Sequence, residues 1–125
     1  MADALLTGGF LNTLMREAER VRVGGLAQIV NVIAPLMTNA TTVLRPTIYY
    51  PYLWALKYAY GRVLDLQVQS DTYPITAGTL RADFARDEDV PFIDVVATHN
   101  PQNGQVSLFM LNRDLDVARE LIVEW

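Results

Sequence analysis

The chain of 125 residues contains no cysteine, one lysine and one histidine. Without cysteine it can form neither a disulfide nor a thiolate metal site, and it has no cysteine nucleophile. The single lysine and the net charge of −4 argue against the clustered basic surface that nucleic-acid binding requires. The longest apolar stretch, residues 26–37, is interrupted by Gln28 and Asn31 and is shorter than the ~20 residues that span a bilayer. The sequence therefore predicts neither a nucleic-acid partner nor a membrane partner.

The first half of the sequence has the pattern of an α/β protein. Apolar side chains recur every fourth residue from Leu6 to Leu14 and predict a helix over residues 2–19. The adjacent Gly8 and Gly9 weaken this helix, and we expect them to allow close packing against a neighbouring element. The nearly continuous apolar stretch 21–29 predicts a strand that is buried on both faces, as in a parallel sheet.

A second helix is predicted over residues 49–60, after a loop at 35–46. Pro51 suits the first helical turn, and Gly61 suits the position just beyond the end of the helix. A helix followed by a buried strand and a further helix is the repeating unit of an α/β barrel or a doubly wound sheet.

The pattern changes after Gly61, where we place a domain boundary. Alternating polar and apolar residues predict antiparallel strands, residues 70–91 are polar and irregular, and Asn103-Gly104 is a strong hairpin signal. Residues 1–61 are therefore predicted to be α/β, and residues 62–125 all-β. The predicted strands span residues 63–69, 92–98, 106–111 and 119–125.

Two side-chain amides, those of Gln28 and Asn31, stand at the carboxyl end of the first predicted strand. In α/β barrels the active site lies at this end of the strands. An amide can donate to and accept from sugar hydroxyls at the same time, so both residues are candidates for substrate binding. The alternative is that both amides cap the local backbone where the strand ends.

The other polar groups give weaker signals. The acidic run from Asp87 to Asp89 lacks the spaced oxygens of a calcium site, and Asp114 with Asp116 is more typical of a turn. His99, at the end of a predicted strand and before Asn100-Pro101, is interpreted as a turn residue, and the serines stand in no nucleophile motif. The tyrosines of the second predicted helix could form a platform for sugar rings, but their helical spacing favours packing between two domains. The residues themselves indicate neither a catalytic group nor a metal ligand.

Several blocks of sequence, in this order, resemble the α-L-arabinofuranosidases of glycoside hydrolase family 51. The match extends over nearly the whole chain, and the block LAQIVNVIAP followed by TIYYP is its most specific part. The resembling blocks are GFLNTLMREAERVRVGGLAQIVNVIAPLMT, RPTIYYPYLWALKYAYGRVL, VPFIDVVATHN and LFMLNRDLD.

The resemblance implies that residues 1–61 are the last part of a TIM (β/α)8 barrel and that residues 62–125 are part of an antiparallel β-sandwich. Such enzymes are retaining glycosidases that release terminal arabinofuranose from arabinan or arabinoxylan with two glutamates and no cofactor. Both glutamates would precede residue 1, so the chain alone is expected to be inactive. The family's active-site glutamine corresponds to Gln28, and Asn31 is expected to shape the site beside it.

The resemblance also implies an arabinofuranosyl oligosaccharide or polysaccharide as partner, a homo-oligomer for the intact enzyme, and a cytoplasmic location. Two alternatives stay open at this point. The chain could be a non-catalytic carbohydrate-binding or interaction module derived from such an enzyme, or a small unrelated α+β domain.

Overall fold

The computed structural model describes residues 1–75 and 88–124, and in these ranges two helices accompany three small antiparallel sheets. The strands pair as β1–β2, as β3–β6–β7 with β6 in the centre, and as β4–β5. Residues 76–87 of the predicted irregular segment, and Trp125 of the last predicted strand, lie outside the described residues. The elements are α1 (Ala2–Arg16), β1 (Met37–Thr38), β2 (Val43–Leu44), α2 (Tyr49–Tyr58), β3 (Arg62–Val63), β4 (Thr72–Ile75), β5 (Glu88–Pro91), β6 (Ile93–Asn100) and β7 (Gln105–Asn112).

Both predicted helices are confirmed, each slightly shorter than expected. Helix α1 carries Asp3 in its first turn and Arg16 in its last, which complements the helix dipole. Pro51 is the third residue of α2, where the missing backbone N–H would have no partner within the helix. Gly61 lies just beyond α2 with a φ of 90°, a conformation that glycine adopts without steric strain.

The β6–β7 hairpin is the best predicted element. Its register runs from Ile93↔Asn112 to Asn100↔Gln105, and Gly104 in the turn has a φ of 72°. The side chain of Asn103 accepts a hydrogen bond from the backbone N–H of Gln105 at 3.0 Å. The Asn-Gly pair thus supplies both the local hydrogen bond and the left-handed residue that this turn requires.

The predicted strand over residues 21–29 is wrong for this chain, because the structure has no strand there. A buried parallel strand needs a neighbour on each side for its backbone groups, and no described strand pairs with this stretch. Its side chains are largely exposed, with Val23 at 90%. The stretch 21–29 is apolar, as a buried strand would be, but its composition does not provide hydrogen-bonding partners for its backbone groups.

The other differences have the same cause. Of the predicted strand 63–69, only Val63 lies in a paired strand, because β3 comprises Arg62 and Val63, and residues 119–124 form no strand. The short hairpin β1–β2 lies within the predicted loop 35–46, and β4–β5 lies within the segment predicted to be irregular. Each strand that forms has an antiparallel partner close in space.

Helix α1 packs on the sheet through Gly8 rather than through its apolar stripe. A Cβ added at Gly8 would lie 2.8 Å from the side chain of Leu111, so glycine permits this close approach, as the sequence predicted. The face that contains Gly8 and Asn12 is buried, whereas Leu6 is 76% exposed. The helix therefore has one face on the sheet and an apolar face without a partner among the described residues.

The buried centre lies in β6. Ile93, Val96 and Ala97 are buried, together with the polar residues Asp94 and Thr98. Asp94 accepts hydrogen bonds from side chains of α1, so a polar cluster rather than a purely apolar layer joins the helix to the sheet. Neither described helix is long and apolar enough to cross a membrane.

Candidate functional site

The two candidate residues Gln28 and Asn31 lie in one exposed segment between α1 and β1. Both have left-handed backbone conformations, with φ of 63° at each, and the neighbouring Val32 has a φ of 58°. A positive φ is uncommon outside glycine and is a clear outlier for a β-branched residue such as valine. Backbone strain of this kind clusters at functional sites, which directs attention to this segment.

The two amides differ in their surroundings. The side-chain oxygen of Asn31 accepts a hydrogen bond from the backbone N–H of Thr38 at 2.7 Å, and its amide nitrogen donates to the Thr38 hydroxyl at 3.4 Å. Gln28 makes no hydrogen bond with its side chain to any residue that the structure describes. The structure therefore places both residues in one segment, where the amide of Asn31 is bound to Thr38 and that of Gln28 has no partner among the described residues.

A second feature is an apolar groove of about 440 Å³ between the two helices and β7. Trp54 and Tyr58 of α2 line one side, and Phe109 and Leu111 of β7 line the other. Sugars need many polar partners, and Asn12 and Ser107 are among the few polar residues here. The groove therefore does not resemble a glycan site.

The aromatic residues of α2 do not form a flat platform. Tyr49 and Tyr50 meet edge to face with ring centroids 5.4 Å apart, and Trp54 is tilted by 45° to Tyr50. Helix α2 packs on α1, while Leu56 in the helix and Tyr60 just beyond its end are exposed. The helix thus combines packing on α1 with apolar side chains that stay exposed.

His99 and the serines have structural positions. His99 lies in β6 opposite Arg62 rather than in a turn, and Ser70 accepts a hydrogen bond from the backbone N–H of Ile93 at 3.2 Å. Within residues 1–75 and 88–124 there is no group of three or more histidines and carboxylates placed to hold a metal ion.

Asp94 is a buried charge that the sequence reasoning missed. Its carboxylate lies 2.6 Å from Arg16 and 3.1 Å from Arg113 and accepts a hydrogen bond from Asn12 at 3.3 Å. The one available signal was an aspartate within the apolar run of β6. The cluster holds α1 against the sheet, and so it fixes the point from which the segment with Gln28 departs.

Asp114 and Asp116 form a turn, as the sequence predicted. The carboxylate of Asp114 accepts hydrogen bonds from the backbone N–H groups of Asp116 and Val117. Arg119 folds back and donates to the same carboxylate at 2.7 Å, while its guanidinium lies 4.2 Å from the centroid of the Phe92 ring. This arrangement fastens the turn to the sheet.

The hydrogen bond from Arg119, with those from the turn backbone, holds the pKa of the Asp114 carboxyl below the ordinary value of 3.8. A lowered folded-state pKa means that the stabilising effect is present above the unfolded-state value and is lost as the pH falls through the folded-state value.

We expect Arg119→Gln to lower the free energy of unfolding at neutral pH, and this difference to shrink as the pH falls below 3.8. Urea unfolding at about pH 7, 5 and 3 measures it. Arg22→Gln, at an exposed arginine outside this turn, is the control. A loss for Arg119→Gln that stayed constant with pH would contradict the assignment.

Comparison with known proteins identifies the relatives of this chain. The sequence model of the family described as α-L-arabinofuranosidase C-terminal domain matches residues 1–121. An intracellular exo-α-(1→5)-L-arabinofuranosidase from Acetivibrio thermocellus is 39% identical over 90% of this chain and 21% of its own length. An exo-α-(1→6)-L-arabinofuranosidase from Bifidobacterium longum is 34% identical over 98% of this chain and 22% of its own length.

The solved structures give the same result. A family 51 α-L-arabinofuranosidase from Bifidobacterium longum superposes with a TM-score of 0.78 and 34% identity, over 93% of this chain and 21% of that protein. The chain spans about a fifth of the length of the curated relatives it matches.

Proposed function

The chain belongs to the α-L-arabinofuranosidase C-terminal domain family, and on that premise we propose that it is the C-terminal region of a retaining α-L-arabinofuranosidase. The observation that carries this proposal is the match over residues 1–121, in combination with relatives that bear this activity in their names. The proposed enzyme releases terminal arabinofuranose from arabinan, arabinoxylan or arabino-oligosaccharides.

The catalytic step belongs to the parts of the enzyme that this chain does not match. A retaining glycosidase uses one carboxylate as nucleophile and a second as acid and base, about 5 Å apart. The apolar groove between the helices and β7 is lined by no glutamate. We propose that both come from elsewhere in the enzyme, so that this chain alone is inactive. Two carboxylates complete the reaction without a metal or an organic cofactor.

The domain division follows from the same proposal. Residues 1–61 are the last portion of a (β/α)8 barrel, and residues 62–125 are part of a C-terminal β-sandwich. The exposed apolar side chains of residues 21–33 support the first part, because a segment of this composition is buried when neighbouring strands cover it. The antiparallel β3–β6–β7 sheet supports the second part.

Gln28 is the proposed contribution of this chain to substrate binding, and Asn31 shapes the site beside it. The exposed amide of Gln28 has donors and an acceptor available for the hydroxyls of an arabinofuranosyl group. We further propose a cytoplasmic location, supported by relatives named as intracellular, and a homo-oligomer for the intact enzyme.

The proposal is tested with the chain alone and with a chimera. The chimera is the Bifidobacterium longum enzyme in which this chain replaces the region that it matches. We expect the chain alone to release no 4-nitrophenol from 4-nitrophenyl α-L-arabinofuranoside, and the chimera to hydrolyse it. In the chimera, Gln28→Ala should lower kcat/KM by about 100-fold, because a polar contact in the transition state is lost.

Gln102→Ala is the matched control, since this exposed glutamine lies in the distant β6–β7 turn. Activity of the chain alone would refute the proposal that both catalytic carboxylates come from elsewhere in the enzyme. A chimera that folds but is inactive would refute the proposed function. An equal response to Gln28→Ala and Gln102→Ala would remove Gln28 from the site.

A further inference from the structure

Asn31 is the most constrained residue of the exposed segment that contains Gln28. Its backbone N–H donates to the carbonyl of Leu36 at 2.7 Å, and its own carbonyl accepts from the N–H of Ala34 at 3.0 Å. Its side chain binds the backbone and the hydroxyl of Thr38 at the start of the β1–β2 hairpin. Four hydrogen bonds therefore fasten this one residue to the loop that follows it.

The conformation at this point suits asparagine in particular. Asparagine tolerates a left-handed backbone better than other residues with a side chain, whereas Val32 does not. Val30 forms a bridge with Leu36 on one side of Asn31, and the strained Val32 follows on the other. The hydrogen bonds of Asn31 are the contacts that hold this unusual stretch in place.

The side-chain oxygen of Asn31 is occupied by a short bond to a backbone N–H, so this amide is poorly placed to bind a sugar. Gln28 lies three residues earlier, is exposed, and has no side-chain hydrogen bond within the described residues. Its left-handed φ of 63° must be maintained by its surroundings, because glutamine has no intrinsic preference for it. The stretch that joins the two residues is anchored at Val30 and Asn31.

We propose that Asn31 is a positioning residue: by binding Thr38 it fixes the loop 31–38 and thereby sets the backbone conformation from which Gln28 presents its amide to the substrate. This inference rests on the proposed function for its consequence in catalysis. Its structural part, the coupling between Asn31 and Gln28, does not depend on the proposed function and can be tested on the isolated chain.

The first test measures that coupling by NMR on the isolated chain. Asn31→Ala should increase the exchange rate of the Thr38 amide by about 10-fold, as expected for loss of one hydrogen bond, and should change the HN–Hα coupling constant of Gln28. Asn31→Asp keeps the oxygen that accepts from Thr38 and should restore both signals. Asn31→Gly keeps the left-handed backbone but not the side chain, and should behave like alanine.

Asn39→Ala is the matched control. Asn39 binds the backbone of Thr41 and Thr42 in the β1–β2 turn, so it loses comparable bonds when it is replaced. The Gln28 signals should not change in this variant. If Asn31→Ala releases the Thr38 amide and leaves Gln28 unchanged, or if Asn31→Gly behaves like the parent chain, the proposal is overturned.

The second test uses the chimera. Asn31→Ala should lower kcat by about 10-fold, Asn31→Asp should recover most of it, and the Tm of both variants should stay close to that of the parent chimera. A fall in activity with a parallel fall in Tm, not recovered by aspartate, would indicate a merely structural role and overturn the proposal. An inactive parent chimera would refute the proposed function, whereas the NMR result would still decide the coupling.

Discussion

Gly61→Ala is expected to destabilise the chain by at least about 4 kcal/mol, which is enough to abolish a cooperative unfolding transition in a marginally stable domain. Gly61 has a φ of 90°, a conformation that residues with a Cβ adopt only with strain. A Cβ at this position would also overlap the carbonyl oxygen of His99 and lie 2.8 Å from Cα of Asn100. These are backbone atoms of β6 that cannot move without breaking the β3–β6 pairing between Arg62 and His99.

The measurement is urea unfolding followed by circular dichroism, with Gly104→Ala as the matched control. Gly104 also has a positive φ, 72°, but a Cβ there would meet no atom within 4 Å. The control should therefore show only the cost of the left-handed conformation, about 1 kcal/mol. Equal effects of the two substitutions would mean that the close approach of Gly61 to β6 is not what requires glycine.

The comparison of these two glycines also shows which parts of the fold can be predicted from sequence. The turn at Gly104 is local, because its hydrogen bonds to Asn100 and Asn103 and its positive φ at Gly104 all lie within six consecutive residues, 100–105. The position of Gly61 after α2 is likewise a local signal. The contact between Gly61 and His99 spans 38 residues of sequence, and nothing near either residue indicates it. Local hydrogen bonding was predictable, and contacts between distant segments were not.

The same distinction explains the errors. The stretch 21–29 has the composition of a buried strand, yet strand formation depends on neighbours that composition cannot supply. In α1 the apolar spacing predicted the helix correctly, but it did not indicate that Gly8 and Asn12 are the residues buried against the sheet. A glycine and an asparagine carry no hydrophobic signal, so their side of the helix could not be identified as buried.

The candidate site was predictable in part. The position of Gln28 and Asn31 after an apolar stretch drew attention to both amides, and the structure places them in one exposed segment. Their difference was not predictable, because it arises from the bond between Asn31 and Thr38, which are seven positions apart in the sequence. The functional interpretation of Gln28 stays a prediction until the chimera is assayed.

Asp94→Ala is the second substitution with a large expected effect, a destabilisation of about 3 kcal/mol. Asp94 is only 7% exposed, and its carboxylate bridges Arg16 of α1 and Arg113 beyond the end of β7. Removal of the acid leaves two guanidinium groups facing each other in a partly buried site. Both arginines are partly exposed and can turn toward water, so we expect the lower end of the range that buried ion pairs show.

Asp94→Asn separates charge from shape. The amide retains the size of the side chain and one acceptor, so about 1–2 kcal/mol should be lost. Asp116→Ala, at an exposed aspartate in the turn after β7, should change the free energy of unfolding by less than about 0.5 kcal/mol. Similar stability of the asparagine variant and the parent chain would show that the cluster acts by hydrogen bonding and packing rather than by charge.

Loss of Asp94 should also loosen the candidate site, because Arg16 is the last residue of α1 and the segment with Gln28 follows it. Hydrogen exchange measured by mass spectrometry should show faster exchange in α1 and in residues 31–38 of Asp94→Ala, while the β6–β7 ladder keeps its protection. In the chimera the same variant should lose activity in parallel with stability, unlike Asn31→Ala. If α1 kept its protection in Asp94→Ala, the helix would be held by the contact between Gly8 and Leu111, and the buried charge would have no part in presenting Gln28.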